Sequence, residues 1–104
     1  MVMLENLIAD ITLLYTDKDV YDMGRDKAAA QYLERHGWKE ISMTCAKTIC
    51  KGVEFKGSLH FQKTFQNFAD MQNELKDIEL AFHDRKTIIP SNDVYTRTWG
   101  SINN

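Results

Sequence analysis

A chain of 104 residues with 43% apolar side chains has the size of one domain, long enough to bury a core without a metal or disulfide framework. Its formal net charge of −2 argues against a generic polyanion binder and against electrostatic docking on anionic lipid, both of which need a basic excess. The two cysteines, Cys45 and Cys50, are too few for a disulfide-built scaffold and match no zinc knuckle, and no apolar run approaches the roughly 20 residues of a membrane span.

From the N-terminus, Leu4, Leu7, Ile8, Ile11, Leu14 and Tyr15 recur at three- and four-residue steps, which predicts a first helix with one apolar stripe. Glu5 and Asp10 interrupt that stretch where a signal peptide needs an unbroken apolar centre, so the expected location is cytoplasmic. After the polar break Thr16–Asp19 and a loop rich in apolar bulk, Ala28, Ala29, Ala30, Tyr32 and Leu33 predict a second helix from about Arg25 to His36. Gly37 stops it, with Arg35 and His36 at its carbonyl end.

From Ile41 the period becomes two. Ile41, Met43, Cys45 and Ile49, then Val53, Phe55, Leu59 and Phe61, fall on one phase, with mostly polar residues between them. Lys51-Gly52 predicts the turn of an antiparallel hairpin, and Gly57 marks a bulge or a second turn that would make the unit a three-stranded meander. Asn67 caps a third, amphipathic helix with the stripe Phe68, Met71, Leu75, Ile78 and Phe82, which outnumbers the three positions of a competing strand at Ile78–Phe82. Past Pro90 and the turn-forming Ser91–Asp93, Val94 to Trp99 predict a short C-terminal edge strand. The expected fold is α+β over a single domain, 1–104: two N-terminal helices and a third on one face of a small antiparallel sheet.

Charge is segregated: residues 1–40 net −3, 41–66 net +3, 67–84 net −4 and the tail net +2. Lys47, Lys51, Lys56 and Lys63, with Phe55 and Phe61 between them, suggest a nucleic-acid-binding hairpin. The phenylalanines fall on the inward phase, however, and the lysines divide between both faces. Cys50 beside Lys51, with His60 on the same outward phase, is the arrangement a cysteine-based enzyme would use, but it has no orienting third group. His36, His60 and His83 stand at no metal-ligand spacing, so neither metal nor cofactor is expected.

Protein recognition remains. Tyr21, Met23, Tyr95 and Trp99 lie outside the cleanest periodic elements and are of the types enriched at interface centres. Asp70, Glu74 and Asp77 lie off the apolar stripe of the third helix, where they would face a partner with a basic surface. The expected function is that of a non-enzymatic binding protein, an adaptor, regulator or inhibitor. A nucleic-acid module is the alternative and a cysteine enzyme the third reading. A homodimer through the first helix or the C-terminal edge strand is also compatible with the pattern.

Overall fold

The segment Leu7–Tyr15 is a strand, β1, and not the first of two N-terminal helices. A computed structural model describes residues 7–15, 25–44, 47–50, 52–82, 86–87 and 95–100. Leu7, Ala9, Ile11, Leu13 and Tyr15 alternate along β1 and face the core, while Ile8 and Leu14 lie on the other side of the strand. With bulky apolar residues on both faces, helical and extended periods fit equally well. What decides is position: β1 is the centre of the sheet, paired antiparallel with one neighbour and parallel with another. Ala9 was silent in the helical reading, yet it is fully buried here.

Helix α1, Arg25–Arg35, forms where expected. Gly37, at φ +86°, takes the left-handed position just past its end, the Gly37 amide donates to Glu34 O and the Trp38 amide to Leu33 O. These are the paired bonds of a Schellman cap, and Leu33 and Trp38, the two residues it brings together, are both buried. The chain then enters strand β2, Lys39–Thr44, and a separate two-stranded ribbon of β3, Thr48–Cys50, and β4, Val53–Phe55, with Gly52 in its turn. Strand β5, Gly57–Phe65, follows after Lys56. The glycine at 57 thus marks the second division and not a bulge. Helix α2 is Phe68–Ala81: Asn67 Oδ1 accepts from the Asp70 amide at 2.8 Å, and Met71, Leu75 and Ile78 turn inward. The helical reading of Ile78 therefore holds over the extended one.

Two short strands, β6, Lys86–Thr87, and β7, Thr96–Gly100, complete a five-stranded mixed sheet in the order β2-β5-β1-β7-β6. The C-terminal strand is internal, parallel to β1, and not an edge. Because β2 and β1 both run antiparallel to β5, which lies between them, β1-α1-β2 is a split β-α-β unit. The α+β class stands, but a strand, not a pair of helices, comes first.

Both helices bury their apolar stripes in one cluster with Ile11, Leu13, Leu59, Phe61 and Trp99, so they share one face of the sheet. Among the described residues, no helix covers the opposite face. Tyr15 closes the end of the core by lying across Gly57, where an added Cβ would come within 2.2 Å of its ring. Its hydroxyl donates to Thr44 O at 3.3 Å on β2. Gly57→Ala must displace a ring held at both ends, so we expect a loss of about 2 kcal/mol. Denaturant titration of Gly57→Ala, Tyr15→Leu and the pair together checks this, since the double variant should lose clearly less than the sum. Additive losses would contradict the contact.

Candidate protein-interaction surface

The helix-free face of the sheet is polar along its middle. His60 on β5 is opposite Thr12 of β1 and Ser42 of β2. Its Nδ1 lies 3.1 Å from Thr12 Oγ1 and its Nε2 3.1 Å from Ser58 Oγ. Gln62 Nε2 donates to Asp10 Oδ1 at 2.7 Å one row away. Hydroxyls both give and accept protons, so the imidazole is satisfied in either tautomer. This network needs no ligand to complete it.

The apolar surface lies elsewhere. All six residues of β2 are exposed, and Ile41 and Met43 retain 49% and 57% of their accessible surface. Ile49 on β3 is 75% exposed. The burial expected of Ile41, Met43 and Ile49 with Phe55, Leu59 and Phe61 is therefore wrong for the first three, although Met43 lies opposite Leu59 on the same face. Leu59 and Phe61 are buried because β5 lies beneath the helices, whereas β2 is the outermost strand, with a register shift between Glu40 and Ser42. Among the described residues no strand pairs with the outer side of β2, which leaves a row of backbone donors and acceptors beside its apolar side chains.

The residues singled out from the sequence fall in different places. Trp99 is 2% exposed and packs edge-on against Phe82, with ring centroids 5.5 Å apart, so it pins the tail to the core. Tyr95 is half-buried against Phe68. Tyr21, Met23, Cys45, Lys51 and His83 lie outside the described residues, as does the side chain of Cys50.

The acidic helix is largely engaged at home. Glu74 pairs with Lys63 at 2.8 Å and Glu79 with Arg97 at 3.1 Å, while Asp70 sits in the N-terminal cap. Asp77 stays exposed, and with burial as the larger cause, Asp77 and Glu74 hold the Tyr32 phenol above its usual pKa.

The basic hairpin is dispersed as well. Lys47 pairs with Glu54, Lys63 is turned to the helices, Lys56 is exposed, and Phe55 and Phe61 are buried away from any base they might stack on. Cys50 belongs to β3, which pairs only with β4 among the described strands, so it does not lie across a ladder from His60 as a thiol–imidazole pair would require. No group of three or more metal-binding side chains occurs among the described residues, and no helix among them is long and apolar enough to cross a membrane.

No protein-family model, curated protein or solved structure matches the chain.

Proposed function

We propose that this chain is a small non-enzymatic binding protein that recognises another protein, as an adaptor, regulator or inhibitor, by adding a strand to the outer edge of β2. One observation supports the reading above the rest: a six-residue strand with every residue exposed, carrying Ile41 and Met43 on an edge that no other described strand pairs with. Strand addition draws affinity from main-chain hydrogen bonds and specificity from alternate side chains, and β2 offers both. A partner with a basic surface is not part of the proposal, because Glu74 and Glu79 are already paired within the fold. A cytoplasmic setting is part of it; there Cys45 and Cys50 stay reduced.

The test is affinity capture from the native host with wild-type chain and with Ile41→Lys/Met43→Lys. Both side chains are about half exposed, so the variant should fold with an unchanged circular dichroism spectrum. It should lose at least about tenfold of the captured protein. Undiminished capture by a folded variant, or retention of nucleic acid alone with steep salt dependence, would refute the reading.

A further inference from the structure

The exposed edge carries a side chain whose polarity can be changed chemically. We propose that Met43 is a site of reversible oxidation, and that its sulfoxide switches off recognition at β2. This rests on the edge-strand reading and names its regulation.

Two of the five methionines, Met43 and Met71, lie among the described residues, and their surroundings differ. Met71 sits on the inward stripe of α2 with no accessible surface, so an oxidant reaches its sulfur only through unfolding. Met43 is 57% exposed. It also lies in the regular part of β2, where Ser42, Met43 and Thr44 pair with His60, Leu59 and Ser58, while the register shift falls between Glu40 and Ser42. Paired residues share a face, so Met43 is on the side of Leu59, and Ser42 and Thr44 are on the other. A strand added outside β2 would set one of its own side chains against the Met43 thioether.

The chemistry needs one reactant from outside, a peroxide. A lone pair on the thioether sulfur attacks one oxygen of hydrogen peroxide: the S–O bond forms and the O–O bond breaks. The proton of the transferred oxygen passes to the departing hydroxide, which leaves as water. Sulfur loses two electrons and the peroxide gains them. A soft apolar group becomes a strong S–O dipole, which holds water where an apolar contact would exclude it. The change is reversible, because methionine sulfoxide reductases return the thioether and release water while a dithiol is oxidised to a disulfide.

The test treats the purified full chain with hydrogen peroxide, removes the peroxide, and adds dithiothreitol to restore any oxidised thiol at Cys45 or Cys50 while leaving the sulfoxide in place. Peptide mass spectrometry should show oxygen added to Met43 at least about tenfold faster than to Met71, with the circular dichroism spectrum unchanged. As bait in extract of the native host, the oxidised chain should hold at least about tenfold less of the captured protein than the untreated chain. A methionine sulfoxide reductase supplied with dithiothreitol should restore capture. Met43→Leu keeps size and apolarity, so it should capture like the wild type and be indifferent to peroxide.

Met43 oxidised no faster than Met71 overturns the proposal. So does a loss of capture that the reductase does not restore, or one that Met43→Leu shares in full. If the oxidised chain captures undiminished while Ile41→Lys/Met43→Lys does not, the switch fails and edge-strand recognition stands. If the lysine variant also captures undiminished, both fail.

Discussion

Trp99→Ala should lower stability by about 3–5 kcal/mol, the range for emptying a buried tryptophan site, and should lower the melting temperature by roughly 15–30 °C in a chain of this size. The indole is 2% exposed, sits among the largest fully buried side chains and meets Phe82 of the α2 stripe edge-on. β7 holds it in place opposite Leu13 of the central strand, so its loss opens a void between helix and sheet. Total stabilities run about 5–15 kcal/mol, so the variant would sit near the limit of folding at room temperature. Trp99→Phe retains a ring against Phe82 and should recover roughly half of the loss. Thermal and urea unfolding by circular dichroism decide the matter. A Trp99→Ala chain melting within about 2 °C of wild type would mean that this indole holds nothing in the core.

That tryptophan illustrates what was legible in the sequence. The elements fixed by local chemistry are where the residues put them: Gly37 ends α1, Asn67 and Asp70 begin α2, and Gly52 turns a hairpin. Each needs only a few consecutive residues. What could not be read locally was which strand lies beside which. Val94 to Trp99 read as a short edge strand with Tyr95 and Trp99 free for a partner, because little in Thr96–Gly100 signals that it inserts between β1 and β6. The alternation of Thr96 and Thr98 with Arg97 and Trp99 was the available hint, since a one-sided strand of that kind has a covered face.

The exposed apolar residues of β2 and β3 suffered the same blindness in the opposite sense. Ile41, Met43 and Ile49 share the odd phase of Leu59 and Phe61, and a simple hairpin would have buried them together. The chain instead splits that region into an edge strand and a separate ribbon, and Ile41, Met43 and Ile49 stay exposed while Phe55 is buried. Burial along a strand is set by its place in the sheet as much as by its own pattern.

Lys63→Met should cost about 2–3 kcal/mol, although a lone lysine on a strand reads as a solvated charge. In the structure its ammonium donates to Glu74 Oε1 at 2.8 Å and also to His36 O at the end of α1, and it lies 5.1 Å above the Phe65 ring. One cation thus ties both helices to β5. The pair is only about a quarter exposed, at 24% and 22%, and Glu74 Oε2 is buried with no hydrogen-bond partner among the described residues, so the carboxylate depends on this lysine.

Methionine keeps the aliphatic stem and removes the charge. That strands Glu74 in a poorly hydrated corner and removes the ammonium bonded to the His36 carbonyl at the negative end of the α1 dipole. The comparison that isolates the charge is Lys63→Met with Glu74→Leu. Replacing a poorly solvated ion pair by packed apolar groups is often neutral, so the double variant should regain most of what the single one lost. Urea titrations of the two single variants and the double variant give the coupling directly. A Lys63→Met chain within about 0.5 kcal/mol of wild type would reduce the contact to an ordinary surface ion pair. A double variant no better than the single would instead assign the loss to the lysine's bond with the α1 terminus.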